Sequence, residues 1–139
     1  MFDTMKNDIS NPKNVKKADI IMGIPSFNEA DNIDFVTEIV DRGLNRFFKS
    51  YSAVIVNVDN NSPDGTREVF LSTKTKNPKI YISTPKGVTG KGNNFHNLFL
   101  QAKKMEANAV FVVDADMKSV TPEWVKIFLE PILKKIMNT

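Results

Sequence analysis

The sequence predicts an α/β domain of three layers, in which helices cover both faces of a mainly parallel sheet of about four strands. Four short apolar runs alternate with stretches whose apolar residues recur at helical spacing. Polar residues follow each run, which is typical of buried strands whose carboxyl ends face solvent. Parallel strands need right-handed crossovers, and these place helices on both faces of the sheet.

The first predicted strand covers residues 19–25, and Pro25 fits its exit because proline cannot donate to a strand ladder. Asn28 is expected to cap the next helix, with Glu29 in its first turn, where the helix dipole favours acids. Helical spacing of the apolar residues predicts that helix over about 30–48.

The middle of the chain predicts two more strands. Residues 53–59 form the second strand, followed by turn formers and a short helix over about 66–75. Residues 79–83 form the third, followed by a polar, flexible loop over 84–93. The next helix is expected to bury an apolar stripe that consists of Phe95, Leu98, Phe99, Ala102 and Met105.

The fourth strand lies in the stretch 109–116, an apolar run that reads as buried on both faces and ends in Asp114 and Asp116. Side chains alternate along an extended chain, so both carboxylates would project to one side. Paired oxygen ligands at a strand's carboxyl end suit magnesium or manganese. A D-x-D triplet alone is weak evidence for a metal site. The alternative is that Asp116 forms a turn while Asp114 caps a nearby group.

A last helix follows, capped by Thr121 with Pro122 at its first position, and Pro131 is expected to kink or interrupt it. Its predicted buried side consists of Trp124, Val125, Phe128, Leu129, Leu133 and Ile136.

Composition indicates one ordinary soluble domain. The 139 residues are 41% hydrophobic and 25% charged, and residues 1–17 are expected to be a flexible leader before a single domain over 18–139. The absence of cysteine excludes disulfides, zinc–thiolate sites and thiol catalysis. A net charge of +3 with scattered lysines does not indicate a nucleic-acid partner. No apolar run reaches the length of a transmembrane segment and no signal-peptide centre is present, so a cytoplasmic location is expected.

Four polar clusters follow the four strands: Ser26–Glu29, Asp59–Gly65, Ser83–Asn93 and Asp114–Asp116. Parallel strands deliver such clusters to one rim of a sheet, where ligands bind in open α/β folds. Turn chemistry explains each cluster separately but does not explain why all four exits are so polar. Asp59 illustrates the ambiguity, because its carboxylate suits a base or ribose and equally the backbone of its own turn.

The segment Gly90-Lys91-Gly92 lies at a predicted helix start. Glycines let the backbone approach a ligand, helix N-terminal amides attract anions, and Lys91 adds positive charge, so a diphosphate is the expected ligand. The segment is not a Walker P-loop, and no G-x-G-x-x-G follows the first strand, which argues against a Rossmann dinucleotide site.

Together these clusters resemble the nucleotide-sugar glycosyltransferases of the GT-A fold, in the large family-2-like group. The resemblance runs in the family's order across about residues 19–126 and rests on Ile24–Glu29, Val58–Thr66, Gly90–Asn93 and Val113–Asp116. Asn60 and Asn61 depart from it, since members commonly have glycine or aspartate there. The resemblance implies a Rossmann-like donor-binding half with strand order 3-2-1-4.

The resemblance also implies site residues. Asp116, with Asp114, would ligate Mg²⁺ or Mn²⁺, and Asp114 would face the ribose. The residues expected to bind the nucleotide-diphospho-sugar (UDP- or GDP-linked) are Pro25, Ser26, Asn28, Glu29, Asp59, Asn61, Thr84, Gly90, Lys91, Gly92, Asn93 and Asp114.

In the family, the acceptor pocket and the catalytic base of inverting enzymes come from later chain, whereas this sequence stops at Thr139. It therefore resembles the N-terminal, donor-binding part, and no catalytic residue is assigned. A second hypothesis is a non-catalytic nucleotide-binding module, with a homodimer or partner chain supplying the missing half. A metal-dependent nucleotidyltransferase ranks third, because its Gly-rich loop would follow the first strand. A narrower likeness links Gly90–Asn93, the D-x-D and Thr121–Trp124 to the retaining glucosyl- and mannosyl-glycerate synthases and their phosphoglycerate relatives.

Overall fold

A computed structural model of the chain describes residues 6–137 and contains five strands and four helices in that part. The strands are β1 (Asp8–Ser10), β2 (Ile20–Ser26), β3 (Ala53–Asp59), β4 (Lys79–Ser83) and β5 (Ala109–Val112). The helices are α1 (Ile33–Phe47), α2 (Thr66–Ser72), α3 (Lys91–Lys104) and α4 (Pro122–Met137). None of the described helices is long and apolar enough to cross a membrane.

The strands form one sheet in the order β1-β4-β3-β2-β5. The pairings β2–β3, β2–β5 and β3–β4 are parallel, and only β1 runs antiparallel. Counted without β1, the order is third, second, first, fourth. The predicted α/β class and the 3-2-1-4 order are confirmed, with one extra edge strand.

Strand β1 lies inside the segment predicted to be a flexible leader. It pairs with β4 from Asp8 opposite Ser83 to Ser10 opposite Tyr81. Arg67 on α2 adds a 3.2 Å ion pair with Asp8 and a 3.1 Å hydrogen bond to the Ser10 hydroxyl. The leader prediction is therefore wrong for these three residues, because main-chain pairing leaves no apolar period in so short a strand. Residues 1–5 of the leader lie outside the described part.

Each face of the sheet carries its own core. Helices α1, α2 and α4 cover one face, where Ile24, Val40, Phe70 and Leu129 are all fully buried. Helix α3 covers the other, where Leu98 packs with Val56 and its neighbours. This arrangement is the three-layer architecture that the alternating pattern predicts.

Helix α1 begins later than predicted. Its N-cap is Asn32 rather than Asn28, and Glu29 precedes the helix. Asn28 instead has a φ of +56° and donates its backbone N–H to the Ser62 hydroxyl at 2.8 Å. The chain after β2 first closes against the loop after β3, because that loop offers acceptors to its free amides, and only then enters the helix.

Two predictions of burial are wrong in the described part. Strand β5 lies at the sheet edge, and Val112 is 36% exposed rather than enclosed on both faces. Phe99 and Phe128, assigned to buried stripes, are 56% and 48% exposed. The apolar residues of α3 and α4 cover a wider arc of each helix than the face that packs against the rest of the protein. Helix α4 continues through Pro131 to Met137 without interruption.

Candidate functional site

The carboxyl ends of the three central strands are flush. Ser26 is the register partner of Asp59, and Asp59 is the partner of Ser83. The loops after β2, β3 and β4 therefore leave the sheet at one level. The segment after β5 continues alongside β2 toward the same edge, because the Val113 N–H donates to the Gly23 carbonyl at 2.9 Å.

A pocket of about 340 Å³ opens at this rim. It is lined by Pro25, Ser26, Phe27, Glu29, Asn60, Lys91, Asn94, Asp114, Ala115 and Asp116. A larger hollow of about 720 Å³ lies beside the α2–β4 loop, between residues 12–15 and 71–79. That hollow is lined by no acid, and the amine of its Lys79 is bonded to the carbonyls of Phe70, Leu71 and Thr73. The rim pocket is the better candidate site because it lies at the carboxyl ends of the parallel strands, where ligands bind in open α/β folds.

Asp59 holds the rim together from inside. The side chain is fully buried, and its Oδ1 accepts hydrogen bonds of 2.7 Å from both Ser26 and Ser62 hydroxyls. Its Oδ2 accepts the Tyr81 hydroxyl at 2.7 Å and the Ser62 N–H at 3.0 Å. Burial and this carboxylate raise the pKa of Tyr81, so the phenol stays a donor. Both oxygens of Asp59 are thus used by protein donors, as the turn interpretation expects, and Asp59 does not line the pocket.

The two carboxylates of the D-x-D lie in a turn just beyond β5, in which the Met117 N–H donates to the Asp114 carbonyl at 3.1 Å. Strand alternation therefore does not orient them, yet both line the pocket. The Lys91 amine lies 3.7 Å from Asp114 Oδ1, and both side chains are about half exposed or more. Asp116 is exposed as well.

These carboxylates are a partial donor set for a metal. Among the described residues, no group of three or more acidic, histidine or cysteine side chains is placed to hold an ion. Two carboxylates suit a hard cation that keeps its waters and takes its other ligands from substrate phosphates. Asp114 and Asp116 alone would therefore fill only part of the coordination shell of such a cation.

The glycine-rich loop before α3 is folded mainly on itself. The Thr84 hydroxyl donates to the Val88 carbonyl at 2.7 Å, and the Asn93 amide donates to the Thr89 carbonyl at 2.7 Å. Gly90 has a φ of +111°, which favours glycine at the point where α3 begins. Of the site residues predicted in this loop and in the first turn of α3, only Lys91 lines the pocket.

The structure thus separates the predicted site residues into two sets. Those that line the pocket are Pro25, Ser26, Glu29, Lys91, Asp114 and Asp116. Those that lie around the rim without lining it are Asn28, Asp59, Asn61, Thr84, Gly90, Gly92 and Asn93.

Sequence reasoning missed four lining residues, namely Phe27, Asn60, Asn94 and Ala115. Asn60 and Asn94 are the sequence neighbours of the predicted residues Asn61 and Asn93. A signal for Asn94 was present, because it lies four residues before Leu98 on the inward stripe of α3. Asn97 and Gln101 are buried on α3 as well, so Asn94 differs from them only by its place in the first turn of the helix, next to the rim.

Two comparisons with known proteins found similarity to this chain. The family model described as glycosyl transferase family 2 matches residues 22–136. Among solved structures, one titled as the crystal structure of a mycobacterial protein superposes with a TM-score of 0.60 at 21% sequence identity. The match covers 84% of this chain and 37% of that one, so this chain spans little more than a third of its length. At this identity the likeness shows the fold alone.

Proposed function

Because the chain belongs to glycosyl transferase family 2, we propose that it binds a nucleotide-diphospho-sugar, UDP- or GDP-linked, as the donor-binding part of a metal-dependent glycosyltransferase. The observation that carries the proposal is the rim pocket, where Lys91, Asp114 and Asp116 meet Ser26 and Glu29. Carboxylates and an ammonium group within one small pocket suit a ligand that is itself a phosphate with a counter-cation.

Asp114 and Asp116 would hold Mg²⁺ or Mn²⁺ together with diphosphate oxygens and water. Once bound there, the cation would supply positive charge against the leaving nucleoside diphosphate. Lys91 contributes a second positive charge on the same side. Its 3.7 Å pairing with Asp114 is solvent-exposed, so the amine is free to turn to a phosphate at little energetic cost.

The pocket residues at the end of β2 suit the nucleoside. Pro25 and the half-exposed Phe27 offer apolar surface there, and Ser26 is held by its bond to Asp59. In this proposal Asp59 is a positioning residue, because its oxygens are already taken by protein donors. It fixes Ser26 and the loop after β3 at the pocket edge.

Nucleotide binding without transfer is the second candidate. With Asp114 and Asp116 assigned to the cation, Glu29 is the remaining acid among the described lining residues, and it accepts the Asn32 amide at 3.0 Å. That bond takes one of its two carboxylate oxygens, so a single acid of the described lining is left for any proton transfer. An assay of the purified chain with a sugar donor separates the two candidates. Release of UDP or GDP supports the transferase, and binding without release supports the binding module.

Thermal unfolding tests donor binding. UDP or GDP should raise the melting temperature in the presence of Mn²⁺ or Mg²⁺, and chelation should abolish that rise. Asp116→Asn should lose the metal-dependent part while melting like wild type without ligand, because the side chain is exposed. Glu38→Gln, an exposed acid on α1, is the matched control and should keep the full response. A folded wild type that responds to neither nucleotide in the presence of metal would refute the proposal.

A further inference from the structure

Two buried acceptors in the rim pocket have no hydrogen-bond partner. Within the described residues, the buried side-chain atoms without a partner are Thr37 Oγ1, Asn57 Oδ1, Asn60 Oδ1 and Asn94 Oδ1. Asn60 and Asn94 both line the pocket, and Asn94 is only 2% exposed. Buried polar atoms are nearly always paired, so two unpaired oxygens in one pocket call for an explanation.

Asn60 and Asn94 converge on one carbonyl. The Asn60 backbone N–H donates to the Ser26 carbonyl at 3.2 Å, and the Asn94 amide nitrogen donates to the same oxygen at 3.4 Å. This contact favours the orientation in which the Asn94 amide nitrogen faces the Ser26 carbonyl, because the reversed amide would set two oxygens against each other. The amide oxygen of Asn94 is therefore the end without a partner.

An apolar residue would suit position 94 better in the free chain. Asn94 precedes Leu98 and Ala102 at intervals of four on the stripe that packs against the sheet. A buried acceptor left without a donor destabilises the fold, whereas an apolar side chain there would not. The amide is explained if a ligand supplies the missing donor.

We propose that Asn94, assisted by Asn60, recognises an N–H or O–H donor on the nucleoside part of the ligand. The inference rests on the proposed function and names a specificity residue within it. Diphosphate oxygens are acceptors and would repel an amide oxygen, whereas nucleobase N–H and ribose O–H groups are donors. Both amide oxygens are shielded from water in the free chain. The Asn94 tether of 3.4 Å is long, so the amide rotates toward a ligand at small cost.

The test compares Asn94→Ala and Asn94→Leu with Thr37→Val. Thr37 is the matched control, since its buried hydroxyl also lacks a partner but lies on α1 outside the pocket. Melting is measured without ligand, and dissociation constants are measured for UDP and for inorganic pyrophosphate, both with Mn²⁺. Pyrophosphate contains the diphosphate but no nucleoside donor.

At least one Asn94 variant should melt at or above the wild-type temperature, and both should bind UDP about three- to tenfold more weakly. Binding of pyrophosphate should be unchanged, and Thr37→Val should alter neither ligand. Repeating the measurement with 2′-deoxy-UDP locates the donor. If the Asn94 variants bind 2′-deoxy-UDP as tightly as wild type does, the ribose 2′-hydroxyl is the donor. If they still bind it more weakly, the donor is elsewhere on the nucleoside.

Unchanged UDP binding in both Asn94 variants would overturn the inference and leave the proposed function standing. An equal loss for pyrophosphate, or a lower melting temperature in both variants, would also overturn it by marking Asn94 as a structural residue. A wild type without any nucleotide response would refute the proposed function and the inference together. Asn60→Ala repeats the comparison on the neighbouring loop and should weaken UDP but not pyrophosphate.

Discussion

The hydroxyl of Ser26 donates a hydrogen bond of 2.7 Å to Asp59, its register partner on the neighbouring strand. The bond joins the carboxyl ends of β2 and β3 at the level where the pocket begins. The Asn57 amide donates to the same Ser26 hydroxyl at 2.8 Å, so the serine is held from two sides. The pocket floor is therefore fixed before any ligand arrives.

Asp59→Ala should destabilise the chain by about 3 kcal/mol, because it leaves the hydroxyls of Ser26, Ser62 and Tyr81 without their acceptor in a buried setting. Urea denaturation measures the change. Tyr81→Phe removes a single donor from the same cluster and should cost about 1 kcal/mol. Equal stability of Asp59→Ala and wild type would contradict the role assigned to this carboxylate.

Lys91→Gln should leave stability within about 0.5 kcal/mol of wild type, because the exposed pair with Asp114 is screened by solvent. If the proposed function holds, binding of Mn²⁺–UDP should weaken about tenfold and depend less on salt, since the pocket loses a positive charge. Calorimetric titration at two salt concentrations measures both effects. Lys86→Gln, an exposed lysine of the preceding loop that does not line the pocket, should bind like wild type.

Gly43→Ala should destabilise the chain by about 2 kcal/mol, although alanine is the better helix former. A Cβ at Gly43 would lie 2.7 Å from the Val125 Cβ and 2.9 Å from the Pro122 carbonyl, so α1 could no longer approach α4. Gly92→Ala is the matched change, because no atom lies within 4 Å of its added Cβ, and it should be neutral or slightly stabilising. Chemical denaturation measures the free energy of unfolding of both variants. A Gly43→Ala variant more stable than wild type would show that α1 and α4 are not tightly packed at this position.

Asp64 should make stability depend on pH at the acid end. Burial opposes its ionisation, but hydrogen bonds from the Thr66 hydroxyl and from the N–H groups of Ala30 and Thr66 outweigh it and lower the pKa of Asp64 below its ordinary 3.8. A carboxyl with a lowered pKa stabilises the fold above pH 3.8 and loses that effect as pH falls through its folded pKa.

Melting temperatures measured across this range should show wild type above Asp64→Asn at neutral pH and the two converging in acid. Glu38→Gln serves as the control for general acid effects. A constant gap between wild type and Asp64→Asn would contradict the prediction.

The four parallel strands were predictable, unlike β1, because their burial shows as apolar runs in the sequence. The runs at 20–26, 53–59, 79–83 and 109–112 are apolar since they lie between layers, and their order follows from parallel crossovers. The cap of α4 was predictable too, and the Trp124 N–H does donate to the Thr121 hydroxyl at 3.1 Å. Local chemistry decides such features.

The site was less predictable, because a polar residue at a strand end can face a ligand or the protein. Asp59 faces the protein and is consumed by four donors, whereas Asp114 faces the pocket. Both looked alike in sequence. Which way each side chain turns depends on residues more than twenty positions away, such as Tyr81 and Ser26, and no local pattern encodes those contacts.

The edge position of β5 means that the pocket is assembled from parts of unequal local stability. Ser26 and Asp59 end strands that are paired on both sides, while Asp114 and Asp116 follow a short strand that, in the described part of the chain, is paired only with β2. Backbone amides near Val112 should therefore exchange with deuterium faster than those of β2. The turn after β5 can then open while the ends of β2 and β3 stay folded, so a ligand that contacts both should slow exchange most in that turn.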